Sequence, residues 1–174
     1  ATILALKAFD LKAVVLDVTR RFLVPRPAGF DIGRDPGFVL VAQLAHLIGQ
    51  AIPVAAGPRD PLRSVSDNAA DRPHPEQAGI HLLLEQLEAC REPAFLSCVG
   101  SARVVAAAFN RAPALVREKT RAILLNAGST GGPKEEWNVG LDPAAYRALW
   151  RSGLPIHWYP CGTESGAFDP SHER

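Results

Sequence analysis

The segment with the clearest chemical potential is Glu135-Glu136-Trp137-Asn138-Val139-Gly140-Leu141-Asp142-Pro143. Glu136 and Asn138 are two positions apart, so an extended chain turns both side chains the same way. A carboxylate beside a carboxamide accepts from and donates to vicinal hydroxyls, as sugar recognition requires. The alternative is a solvated Glu136 and a turn-forming Asn138, the commoner role for loop residues of these types. Asp142 reads as a helix cap rather than a catalytic acid, because Pro143 follows it directly.

Other chemistries find little support. No strand end carries GxGxxG with an acidic ribose reader, and none carries GxxxxGK[ST]; Gly131-Gly132-Pro133-Lys134 is only a loose echo of the latter. There is no GxSxG elbow for a serine hydrolase. Cys90, Cys98 and Cys161 are odd in number and widely spaced, which fits neither a disulfide framework nor a zinc site. Cys98 lies in an apolar run and is expected in the core, and the cysteine usage points to a reducing compartment, the cytoplasm.

These residues need elements to position them, and the hydrophobic pattern supplies an alternation. Strands are expected near 12–18, 52–56, 94–99, 121–126 and 154–159. Helices are expected from Pro36 to Gln50, from Pro75 to Cys90, from the cap Ser101 to Asn110, and from the cap Asp142 to Gly153. ATILALKAF reads as the tail of a helix, Arg20 to Asp35 as loop, and Gly57 to His74 as irregular chain rich in Pro and Asp. The strands are apolar rather than alternating. That predicts an α/β domain with a mostly parallel, doubly wound sheet covered on both faces. In such sheets ligands bind beyond the carboxyl ends of the strands. Strands ending near Val99 and Asn126 should be neighbours, so Glu136 and Asn138 should share one cleft with Asn126 and the Val99–Gly100 turn. Trp137 should turn away and pack on the body of the domain. Glu136→Gln is then expected to weaken sugar binding with little effect on folding.

Composition bounds the partners. The chain has 174 residues, 47% hydrophobic and 21% charged, enough for a single domain spanning 1–174. Nineteen Lys and Arg against eighteen Asp and Glu leave a net charge of +1, which argues against a nucleic-acid partner. No apolar run approaches the roughly 20 residues of a membrane span.

Over Leu96 to Pro160 the order and spacing of motifs resemble the nucleoside hydrolase family, the inosine–uridine-preferring hydrolases. The likeness rests on a strand running into a Gly turn and helix, a second strand ending at Asn126-Ala127-Gly128, the Glu136-Trp137-Asn138 loop, the Asp142-Pro143 cap, and Gly153-Leu154-Pro155 before the last strand. Upstream, the ATILALKAFDLKAVVLDV and GFVLVAQLAHLIGQAIPVAAGPRDPL segments are similar to the family's helix–strand and helix–strand–loop units. The resemblance implies hydrolysis of the N-glycosidic bond of ribonucleosides with one Ca²⁺, which binds the ribose diol and a water while an aspartate takes the proton. It assigns Glu136 and Asn138 to ribose hydroxyls, Asn126 to the pocket lining, and the Val99 main-chain carbonyl to calcium. It implies a small nucleoside or ribosyl substrate, with a homo-oligomer left open. It also places the family's D-x-D-x-x-x-D-D motif before Ala1 and its His-Asp pair beyond Arg174, so the chain reads as truncated at both ends. Asp169 and His172 are the nearest substitutes for that pair. Ala102-Arg103-Val104 stands where the family has Leu-Thr-Asn. A non-catalytic nucleoside- or sugar-binding module that has lost the metal site is the rival reading, and a structural α/β fragment the third.

Overall fold

The computed structural model describes residues 9–18, 36–130 and 136–161. Its elements are β1 (Val14–Leu16), α1 (Pro36–Ile48), β2 (Val54–Ala56), α2 (His74–Ala89), β3 (Ala94–Cys98), α3 (Arg103–Arg111), α4 (Pro113–Lys119), β4 (Thr120–Asn126), α5 (Trp137–Leu141), α6 (Pro143–Arg151) and β5 (Ile156–Tyr159). All described strand pairs are parallel: β1 with β2, and β3 with β4 with β5. Every parallel neighbour is reached through at least one helix, as parallel pairing demands. The α/β class and the five strands predicted from the sequence are present. The expectations for residues 1–8, 19–35, 131–135 and 162–174, which include Asp169 and His172, lie outside the described residues.

The core forms where α2, α3, α4 and α6 meet one face of the β3–β4–β5 sheet. Leu96, Cys98, Ile123 and Leu125 point into it, against Ile80, Leu87, Val116 and Leu149. In α3, Ala106, Ala107 and Ala108 are fully buried, and their small side chains let neighbouring helices approach closely. In α2, Gly79 serves the same end. A Cβ there would lie 2.7 Å from Val15 Cγ1 and 2.8 Å from the Ala56 carbonyl oxygen, so the helix rides directly on β1 and β2.

At β3 the described helices cover one side of the strand. There Leu96 and Cys98 are buried in the core while Phe95 and Ser97 are exposed among the described residues. Two corrections concern helices. Pro113 opens α4, a segment the periodic pattern had left unassigned because only Val116 is buried in it. And α3 has Ala102 at its N-cap in the left-handed conformation (φ 60°), while Ser101 Oγ donates to Asp17 and accepts from Arg103 N at 3.4 Å. The irregular stretch after β2 is held by its own polar groups. Asp67 accepts from Arg63 N and Ala69 N, and Asn110 Nδ2 donates to the carbonyls of Val65 and Asp67.

Candidate functional site

The carboxyl ends of β3, β4 and β5 form one edge, and α5 sits on it. The parallel register pairs Cys98 with Leu125 with Trp158 on the core face. Alternation then sends the next residues, Val99, Asn126 and Tyr159, to the opposite face in one row. Asn126 and Tyr159 are direct register partners. Val99 is 67% exposed and Tyr159 52%.

Glu136 does not continue an extended chain, as expected from its spacing to Asn138. It is the N-cap of α5. Its carboxylate accepts from Asn138 N at 2.9 Å, Gly128 N at 2.8 Å and Val139 N at 3.1 Å. Burial opposes ionisation here, but those three N–H donors and the Cys161 thiol outweigh it and hold the carboxyl below the usual glutamate range. Gly128 can present its N–H because it takes φ +80°, a conformation costly for other residues. The Cys161 N–H closes the loop onto Gly128 O at 2.8 Å. Asn138, in the first turn of α5, donates from Nδ2 to Asn126 O at 3.2 Å. The structure therefore brings Asn126, Glu136 and Asn138 together as the sequence predicted, by a helix cap rather than by strand alternation. Trp137, expected to pack on the body of the domain, is half exposed.

The cap gives Glu136→Gln an expected folding cost where the sequence alone suggested little. Losing a capping carboxylate costs about 1 kcal/mol. A carboxyl whose pKa is lowered on folding stabilises above its unfolded pKa, and that stabilisation is lost as pH falls through the folded value. Urea denaturation of Glu136→Gln should thus show a deficit of about 1 kcal/mol at pH 7 that shrinks in acid; an equal deficit at both pH values would contradict the ionised cap.

The Val99–Gly100 turn is tied from two sides. Tyr146 Oη of α6 donates to Gly100 O, and Asp17 at the end of β1 accepts from Ser101 N and, at 2.7 Å, from Ser101 Oγ. Burial pushes the Tyr146 phenol upward and the nearby Cys98 thiol up to about 11, so both are neutral groups at this edge. A calcium ion wants six to eight oxygens. Among the described residues no three His, Cys, Asp or Glu side chains come together to hold a metal, and the carboxylate at this turn, Asp17, is engaged by Ser101. The described donor set does not fit the ion that the resemblance implied at Val99.

Sequence reasoning missed the group that gathers the loops. Arg103 is fully buried, with Nε 2.9 Å from Asp142 Oδ2, Nη1 2.7 Å from Pro58 O and 3.4 Å from Val18 O, and Nη2 3.2 Å from Leu141 O. Asp142 also accepts from Leu62 N at 2.8 Å and, as the predicted cap of α6, from Ala145 N at 2.9 Å. One ion pair thus joins the chain leaving β1, the loop after β2, the start of α3 and the α5–α6 corner. An arginine inside the apolar run RVVAAAF was the available signal.

With this geometry in place, comparison with known proteins is informative. No family model matches the chain. It is 33% identical over 125 residues to the pyrimidine-specific ribonucleoside hydrolase RihA of Enterobacter sp. (strain 638), covering 60% of this chain and 40% of that protein. It superimposes with a TM-score of 0.57 on the inosine–uridine preferring nucleoside hydrolase of Bacillus anthracis, at 18% identity over 73% of this chain and 51% of that one. The fold is nucleoside hydrolase-like. A third similar structure is the type III effector protein XopQ complexed with adenosine diphosphate ribose, at TM-score 0.51 and 20% identity, covering 70% of this chain and 43% of that one. The nucleoside hydrolase-like chain thus spans about half or less of the length of these relatives. No helix among its described residues is long and apolar enough to cross a membrane.

Proposed function

We propose that this chain carries the ribosyl-binding edge of an N-ribosyl hydrolase, taking a nucleoside at the carboxyl ends of β3, β4 and β5. The observation that carries this reading is the convergence of Asn126, Glu136 and Asn138 at that edge, in a chain whose curated relative is a ribonucleoside hydrolase. In this reading the ionised Glu136 fixes α5 and presents its remaining acceptor capacity to ribose hydroxyls. The Asn138 carboxamide, anchored by Nδ2 on Asn126 O, offers Oδ1 to the neighbouring hydroxyl. Holding the ribose rigidly favours the loss of the base as the sugar flattens toward an oxocarbenium ion. The described carboxylates do not complete a cation site, so no step is assigned to calcium.

The engagement of Glu136 by three N–H groups and a thiol favours one second reading, a nucleoside- or ribosyl-binding module without turnover. Calorimetry with uridine, inosine and ribose, together with assay of released base with and without Ca²⁺, separates the two. We expect measurable nucleoside binding that Asn138→Ala weakens about fivefold, the range of one hydrogen bond. We also expect poor turnover and no thermal stabilisation by Ca²⁺, whereas a ligand at 100 times its Kd would add about 2.7 kcal/mol. Absence of binding to all three ligands would end the ribosyl reading; robust base release would end the non-catalytic one. The cysteine usage read from the sequence is the ground for proposing a reducing, cytoplasmic setting, and the small ligand is the proposed partner.

A further inference from the structure

The carbonyl of Ala127 and the N–H of Gly128 belong to one peptide plane, just past the end of β4. In a trans peptide these two groups point in opposite directions, so fixing one aims the other. On one side of the plane, the indole Nε1–H of Trp158 in β5 donates to Ala127 O at 2.7 Å. On the other, Gly128 N donates to Glu136 at 2.8 Å. The indole also lies along Gly128, where a Cβ would stand 3.5 Å from Cζ2 and from Nε1, an ordinary contact distance. Glycine is therefore needed at 128 for its φ of +80° and not for room. Trp158 is itself fixed. Its backbone pairs in register with Leu125 of β4, and its ring meets Trp150 of α6 edge to face, with centroids 6.0 Å apart.

We propose that Trp158 is a positioning residue for the ribosyl edge: by holding Ala127 O it turns the Gly128 N–H onto Glu136, and so keeps the remaining acceptor capacity of that carboxylate in place for a sugar hydroxyl. The inference rests on the ribosyl-edge reading above and adds the residue that stands behind Glu136. The indole touches no sugar in this arrangement; it acts through one peptide. A hydrogen bond to a peptide carbonyl polarises the peptide and strengthens its N–H as a donor, so the indole tightens the bond to Glu136 as well as aiming it. Without the indole the plane turns on a glycine, the residue that resists rotation least. Glu136 would then keep Asn138 N and Val139 N, which belong to its own helix, and lose its bond to the chain leaving β4.

The test is a double-mutant cycle on the whole chain, with the wild type, Trp158→Phe, Glu136→Gln and the two combined, titrated calorimetrically with uridine and D-ribose. Trp158→Phe should weaken both ligands about fivefold, the effect of one hydrogen bond, and less than about twofold in the Glu136→Gln background. Hydrogen exchange of the Gly128 amide should quicken about fivefold in Trp158→Phe. The benzothiophene analogue of tryptophan at position 158 keeps the shape of the ring and lacks the N–H, so it should reproduce both changes. Unchanged affinity in Trp158→Phe overturns the proposal and leaves the ribosyl edge standing. A loss of equal size in both backgrounds overturns it too, because Trp158 would then act independently of Glu136. An analogue that behaves as wild type removes the N–H from the argument and has the same effect. If the wild type binds neither ligand, the ribosyl reading fails and Gly128 exchange alone decides: quickened exchange supports Trp158 as the group that sets Glu136, and unchanged exchange overturns it.

Discussion

Arg103→Met is expected to cost about 3–5 kcal/mol of folding stability, a third or more of what a domain of this size typically has. The reason is the position of its partner. Asp142 is fully buried, and removing the guanidinium leaves a carboxylate with only two backbone N–H donors to replace a full ion pair. The carbonyls of Val18, Pro58 and Leu141 lose a donor in the same step. Replacing both members by apolar residues often restores stability in buried pairs, because the desolvation penalty disappears with the charges. Here Arg103→Met with Asp142→Leu should recover only part of the loss, since the three carbonyls and the N–H groups of Leu62 and Ala145 stay unmatched. Urea denaturation with unchanged m-value would measure both variants. A loss below about 1 kcal/mol for Arg103→Met would show that the loops do not depend on this hub.

Gly79→Ala should be destabilising by about 2 kcal/mol, against the ordinary preference of a helix interior for alanine by about 1 kcal/mol. The added methyl would meet Val15 Cγ1 at 2.7 Å and the Ala56 carbonyl at 2.8 and 2.9 Å. A valine side chain can rotate, but the Ala56 backbone belongs to a paired strand and cannot give way without shifting β2 against β1. The same shift would displace the loop that starts at Gly57 and carries Pro58 and Leu62 to the Arg103–Asp142 pair. Thermal unfolding would settle it: an unchanged or raised Tm would mean that α2 stands further from the sheet than this contact implies.

Much of this architecture was legible locally. Short apolar runs and period-3.6 patterns with Gly and Pro punctuation located all five strands and the long helices, and Asp142-Pro143 was read as a cap because the two residue types have a specific local geometry. The convergence of Asn126 with Glu136 and Asn138 followed from parallel topology, which forces loops after adjacent strands to one edge. Glu136 was misread in detail. Spacing of two suggests a shared direction only if the chain is extended, and whether it is extended depended on a donor eight positions upstream, the Gly128 N–H.

The sequence by itself determined what depends on neighbours in the chain: the α/β alternation, the parallel order, the capped start of α6, the burial of Cys98, and a family resemblance carried by Glu136-Trp137-Asn138-Val139-Gly140-Leu141-Asp142-Pro143. Tertiary structure alone decided which face of β3 is covered, that Ser101 ties Asp17 to the start of α3, that half of Trp137 stays exposed, and that Arg103 reaches Asp142 across 39 positions. The physical reason is range. Propensity, periodicity and caps act over a few residues, so their signs are written in adjacent positions. A buried guanidinium finds its acceptors only after distant loops have been packed around it, and no local pattern records which carbonyls those will be.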